Sequence, residues 1–97
     1  MIIVNRRTFT AKPGQMEELI DALKAGGGYL ADMPTFRVYQ ALLGQNSSAV
    51  LELDFDDLAH YERFWAAWGA APESAAVRER VAQCIEAEQT NEIWQLC

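Results

Sequence analysis

The 97-residue sequence predicts an α+β fold: one antiparallel sheet of four strands, with its helices on a single face. Three observations carry that expectation. The first is the stretch 49–68, AVLELDFDDLAHYERFWAAW. Leu51, Leu53 and Phe55 alternate with Glu52 and Asp54, and then Leu58, Tyr61, Phe64, Trp65 and Trp68 recur at three- and four-residue steps. A period of two marks a strand with one apolar face, and steps of three and four mark a helical stripe. The second is the element order along the whole chain, strand, helix, strand, strand, helix, strand. The third is a hydrophobic content of 51%, more than one helix-covered sheet face hides in a chain this short.

The elements follow in order. Residues 2–10, IIVNRRTFT, are β-branched and aromatic enough for a strand. Ile3, Asn5, Arg7 and Phe9 share one face, and Ile2, Val4, Arg6 and Thr8 the other. Neither face is wholly apolar or wholly polar, which predicts a mid-sheet strand covered on both sides. Lys12-Pro13-Gly14 ends it, and proline suits the first turn of a helix. Met16, Leu19, Ile20 and Leu23 then form an apolar stripe, which Gly26-Gly27-Gly28 terminates. Glycines that cradle a phosphate precede a helix, whereas these follow one.

Residues 35–43, TFRVYQALL, read as the second strand, with Phe36, Val38 and Leu42 opposite Arg37, Tyr39 and Leu43. Gly44-Gln45-Asn46-Ser47-Ser48 is a turn of hairpin length returning into the third strand at Ala49. Asp56 or Asp57 caps the aromatic helix, where a carboxylate meets unpaired amides and the positive end of the dipole. Gly69 and Pro72 break that helix. A second helical piece follows, with Val77, Val81, Cys84 and Ile85 as its stripe. Residues 90–97 make the last strand. This is the split β-α-β arrangement of a ferredoxin-like fold, expected as one domain over 1–97. Its helices cover one sheet face, so a second copy is the expected cover for the other, giving a homodimer with its sheets face to face.

Charge and composition narrow the function. A net charge of −6 argues against nucleic acid, whose phosphates need clustered Lys and Arg. No leader is read after Met1, and no segment approaches the roughly 20 apolar residues of a membrane helix. Cys84 and Cys97 lack metal or redox spacing, so reduced thiols and a cytoplasmic location are expected. Asp54, Asp56 and Asp57 read as a strand exit and a helix cap, and no cysteine lies near them in sequence to complete a transition-metal site. No metal and no cofactor are expected.

Several side chains stand out as candidates for a site. Asparagine is depleted in strands and its amide needs partners when buried, so Asn5 is a candidate pocket residue. Arg6 and Arg7 face opposite sides, so only one serves a ligand. The other pairs with Glu52, Asp54 or Glu92. Tyr61, Phe64, Trp65 and Trp68 supply large apolar area and crowd one stripe, which favours a cavity at its edge. His60, the sole histidine, sits at the edge of that stripe and reads as a partly exposed helix residue. Asn5, Arg7, Tyr39, Tyr61, Trp65 and Trp68 form the candidate ligand set.

The string Asn5-Arg6-Arg7-Thr8-Phe9-Thr10-Ala11-Lys12-Pro13-Gly14-Gln15, the short amphipathic helix after it, and the aromatic helix after an acidic strand end resemble the dimeric α+β barrel superfamily. The similarity is to its antibiotic-biosynthesis monooxygenase-like and NIPSNAP-like families. The resemblance covers nearly the whole chain in element order. It implies a small dimer with a pocket in each protomer. It also implies a possible activity, since the cofactor-independent monooxygenases of the superfamily oxidise electron-rich aromatic substrates with dioxygen alone. In the heme-degrading branch an asparagine of the first strand and a tryptophan of the second crossover are functional. Asn5 and Trp65 (or Phe64) match them, which makes Asn5 and Trp65 the catalytic candidates. Where that branch carries a histidine further along, this chain has Ser74 and Ala75, which speaks against heme ligation by that route.

Two functions of different class follow. One is a homodimer that binds a small hydrophobic or aromatic molecule between sheet and helices without catalysis. The alternative is a cofactor-independent monooxygenase acting on an aromatic or polyketide-like substrate. No acid–base pair stands out, which favours the first.

Overall fold

The computed structural model describes residues 1–26, 30, 32–44 and 47–97. These form strands β1 (Ile2–Ala11), β2 (Phe36–Gln40), β3 (Ser48–Phe55) and β4 (Ile85–Leu96), and helices α1 (Met16–Ala25), α2 (Leu58–Ala70) and α3 (Glu73–Cys84). The sheet order is β2-β3-β1-β4, with every neighbouring pair antiparallel. The expected ferredoxin-like order is therefore present, and the second crossover consists of two helical pieces. β1 lies mid-sheet, as its mixed faces predict.

Local chemistry explains the boundaries. Pro13-Gly14 does not open α1. Gln15 N–H donates to Lys12 O at 3.0 Å, and Gly14 takes φ +77°. That is the β-turn position glycine fills without steric cost, and it is incompatible with a right-handed helix. The helix starts after the turn, at Met16. Asp57, not Asp56, caps α2, its carboxylate accepting from His60 N–H at 2.8 Å. α2 runs through Gly69 to Ala70, and its last carbonyls accept from Ala71 N–H.

Two expectations at the strands and one at α2 require correction. β2 stops at Gln40, and Leu42 and Leu43 are almost fully exposed in the connection to β3. The pairing of Gln40 with Ala49 and the bond from Ala41 N–H to Ser48 O leave them no partner strand. Gln45 and Asn46 of that turn, and Gly27 and Gly28 after α1, lie outside the described residues. β4 begins at Ile85, with no loop after α3. Ile85, read above as helical, pairs with Ala11, and Lys12 N–H donates to Cys84 O at 2.8 Å. Closing a ladder along the full length of β1 outweighs one more helical turn. Leu58 heads the predicted stripe of α2 but is more than half exposed.

All helices pack on the face of β1 that carries Ile3, Asn5, Phe9 and Ala11, each buried. Two apolar clusters form there. One joins α1 and α3 to the sheet through Phe9, Leu19, Leu23, Ala49 and Cys84. The other seats α2 on Ile3, Leu53 and Phe55 through Phe64. Leu51 touches both clusters. The opposite face, with Ile2, Val4, Thr8 and Trp94, has no covering layer among the described residues. Trp94 and Leu96 there are 54% and 61% exposed.

Candidate functional site

A cavity of about 310 Å³ lies at the seam of the two clusters. Phe9, Leu51 and Leu53 form its sheet side, Leu23 comes from α1, and Val77 and Val81 come from α3. Phe64, Trp65 and Trp68 close the α2 side. These rings meet edge to face, at 5.0 Å between Phe64 and Trp65 and 5.5 Å between Trp65 and Trp68. Such contacts hold the rings in fixed orientations. Gly26 also borders the cavity, where a Cβ would lie 3.3 Å from Val77 Cγ1. Its bare backbone lets the end of α1 approach α3.

Both indoles spend their N–H groups on protein. Trp68 donates to Gly26 O at 2.9 Å, tying α2 to the end of α1. Trp65 donates to Asn5 Oδ1 at 3.1 Å. Asn5 is fully buried, and its amide donates to Asn91 Oδ1 at 2.8 Å and to Glu92 O at 3.0 Å. Its donors and its acceptor are thus matched by protein groups, as a buried amide requires. Asn5 stands behind Trp65 and does not border the cavity.

Three charged side chains line the cavity: Arg7, Glu88 and Arg78. Arg7 lies over the Trp65 ring at 5.1 Å and the Phe9 ring at 5.8 Å. It forms a two-pronged ion pair with Glu88, with Nε and Nη2 bonds of 2.9 to 3.1 Å. Glu88 reaches this face through a bulge. Arg7 pairs with Asn91 and Thr8 with Thr90, but Phe9 pairs with Glu88, leaving Gln89 as the extra residue. One extra residue turns the following side chains to the other face. Arg78 lies over the Trp68 ring at 5.3 Å, and its Nη2 donates to the buried Ser74 Oγ at 2.8 Å.

The cavity thus unites three of the six candidate residues, Arg7, Trp65 and Trp68. Tyr61 packs edge to face on Phe55 at 5.5 Å, within the α2 cluster and away from the cavity lining. Tyr39 is on the opposite sheet face, where its O–H donates to Glu52 Oε1 at 3.1 Å. Arg37 joins that network by a bidentate bond to Asp54, which holds the Asp54 carboxyl below its ordinary range. Arg6 pairs there with Glu52 at 3.6 Å, the cross-sheet pairing expected for the arginine that faces away from Arg7. His60 stacks edge-on against Phe55 at 5.1 Å and accepts from Asp56 N–H through Nδ1 at 3.1 Å. Both cysteines are free. Among the described residues no group of three His, Cys, Asp or Glu side chains is placed to hold a metal ion, and no helix is long and apolar enough to cross a membrane.

Sequence reading missed Glu88 and Arg78. Alternation counted back from Thr90 puts Glu88 on the outer face, and the bulge reverses that parity. Arg78 falls on the polar side of α3 by helical spacing. Its place above Trp68 depends on how α3 crosses α2, which no local pattern encodes.

The fold recurs in solved structures. An uncharacterised NIPSNAP domain protein from Burkholderia xenovorans superposes with a TM-score of 0.83 at 20% identity, covering 98% of this chain and 94% of that one. A candidate antibiotic biosynthesis monooxygenase from Chloroflexus aurantiacus gives 0.78 at 15% identity, covering 100% and 94%. A protein of unknown function from Bacteroides fragilis, described as dimeric and ferredoxin-like, gives 0.70 at 16% identity, covering 98% and 96%. Likeness at these identities establishes the fold alone. No curated protein matches the chain. The family model does match, over residues 4–95, all of the fold but the outermost residues of β1 and β4: the chain belongs to the NIPSNAP family.

Proposed function

We propose that this NIPSNAP protein binds a small hydrophobic or aromatic molecule in the cavity between sheet and helices, without transforming it. The observation that carries the reading is the cavity itself, walled mostly by apolar side chains and bordered by two indoles whose polar ends are already satisfied. Such a surface offers area and shape to an apolar ligand and little to a polar one. Its volume of about 310 Å³ falls at the lower end of small-molecule pockets, roughly 300–1,000 Å³.

Catalysis finds less support in the lining. The cofactor-independent oxygenase reading needs a group that favours the substrate's anion, and Arg7 at the cavity wall is the obvious one. Its charge is already matched by Glu88, and the Glu88 carboxylate is in turn engaged by Arg7. Asn5 and Trp65, the catalytic candidates, are engaged with one another.

The functional unit in this reading is a cytoplasmic homodimer joined through the outer sheet faces. A sheet that carries helices on one side only, and tryptophan and leucine exposed on the other, supports it. So does the dimeric description of the Bacteroides fragilis neighbour.

The test is native mass spectrometry of the purified protein, followed by calorimetric titration with a panel of apolar and aromatic compounds. Co-purified small-molecule mass or micromolar binding supports the reading, and Val81→Phe, which fills the cavity, abolishes binding. Absence of binding across the panel refutes it. Dioxygen consumption with an anthrone or quinol, lost in Trp65→Phe, replaces it with the oxygenase reading.

A further inference from the structure

The geometry points to Arg78 as an anion anchor at the mouth of this cavity, which makes the ligand a two-ring aromatic carboxylate, or an apolar carboxylate of that size. The inference rests on the binding reading above and specifies its ligand class. Arg78 both lines the cavity and is exposed to solvent, so it stands where the cavity opens. Its guanidinium is held in place from two sides, over the Trp68 ring at 5.3 Å and by Ser74, which accepts from Nη2 at 2.8 Å. Ser74 is itself buried and donates to Ala71 O at 2.9 Å. The side chain is therefore oriented before any ligand arrives, which lowers the ordering cost of binding.

Its charge is the one the cavity does not neutralise. Of the three charged groups in the lining, Arg7 and Glu88 cancel. Among the described residues no carboxylate lies within 4.0 Å of Arg78, and both N–H groups of Nη1 have no protein acceptor. In a chain of net charge −6, the mouth of an apolar cavity thus carries a local positive charge with donors to spare. A guanidinium fork matches a carboxylate, and its aromatic stacking site accommodates a flat ligand beside it. Size sets the rest. A cavity of about 150 Å³ takes a benzene, and this one has roughly twice that volume.

The experiment is calorimetric titration of the full chain with 2-naphthoate and with 2-naphthamide, its neutral isostere, for wild type, Arg78→Met and Arg78→Lys. Wild type is expected to bind naphthoate about tenfold more tightly than the amide, the scale of one charge-assisted hydrogen bond. Arg78→Met loses that preference and keeps its affinity for the amide, and Arg78→Lys restores part of it. Arg78 is exposed, so these variants fold, and circular dichroism verifies it. Equal wild-type affinity for the two compounds, or a preference that survives Arg78→Met, overturns the anchor and leaves the cavity reading standing. Failure of both compounds to bind any variant overturns the carboxylate class, and a broader apolar panel then decides the cavity reading separately.

Discussion

Asn5 and Trp65, sixty positions apart in sequence, are joined by a hydrogen bond of 3.1 Å from the indole N–H to the buried amide oxygen. That bond fixes α2 on β1, and the amide's own donors fix β1 on β4. Asn5→Ala removes the acceptor and leaves the Trp65 N–H, Asn91 Oδ1 and Glu92 O without this partner. The expected loss is about 1–3 kcal/mol, the cost of a buried polar group left unmatched. Urea unfolding at constant m-value measures it. Trp65→Phe in the Asn5→Ala background then costs less than in the wild type, because the orphaned donor is gone. Additive effects in that cycle would contradict the coupling.

The same pair shows how far the sequence was legible. The order of elements followed from two periodicities, twos in β1 and β3 and threes and fours in the helices, because burial of one face imposes them directly. Asn5 was recognisable as unusual, since a strand tolerates a buried amide only with partners. Those partners are Asn91 and Trp65, supplied by strand pairing and helix docking, so sequence alone could not say whether they would be protein or ligand. Leu42 and Leu43 misled for the opposite reason. Hydrophobicity signals burial only where a partner element arrives, and β3 turns back too early to cover them. Tyr39 stands beside Arg7 in the candidate ligand set, although its parity with Arg37 puts it on the outer face. Glu88 required knowledge of a one-residue bulge, a feature of the pairing rather than of the strand.

The Arg7–Glu88 pair supports a second prediction. Arg7 is only 23% exposed and lies against two aromatic rings. Removing one member leaves a partly desolvated charge. Glu88→Gln is expected to destabilise the protein by about 1–3 kcal/mol, between an exposed pair and a fully buried one. It is also expected to raise naphthoate affinity several-fold, because Arg7 then adds a second positive charge to the lining. Calorimetry against wild type measures the gain, and an unchanged or weaker naphthoate affinity would show that Arg7 does not face the ligand.

Stability should fall in acid through Asp54. Arg37 depresses the folded-state pKa of this carboxyl below the ordinary carboxylate value near 3.8. The ionised form therefore carries a stabilisation that is fully present above the unfolded pKa. It is lost as pH falls through the lower, folded value. Asp54→Asn is expected to cost less than about 1 kcal/mol at neutral pH, since Arg37 is partly exposed and retains Glu52. The difference from wild type should shrink as pH drops below about 4. Thermal unfolding from pH 7 to pH 2 tests the sign, and a difference that grows in acid would contradict it.

The outer sheet face supplies the last prediction. Val4 and Trp94 are cross-strand partners there, and Ile2 pairs with Leu96 beside them. This gives an apolar end to a face whose other residues include Arg6, Arg37, Glu52 and Asp54, charges already paired among themselves. Two copies related by a twofold axis can bury that apolar end without stranding these four charges, since they are paired within each chain. Trp94→Glu places a carboxylate in the middle of the buried patch with no cation to meet it. It is expected to convert a dimer to a monomer at micromolar concentration in native mass spectrometry. Trp94→Phe, which keeps the apolar area, should leave the dimer intact. A wild-type monomer would remove the face-to-face arrangement. A Trp94→Glu dimer would move the interface to another surface, such as the exposed Leu42 and Leu43 turn. Because the cavity lies on the helix side of the sheet, the monomeric variant should still bind its ligand, so assembly and binding are separable on one set of proteins.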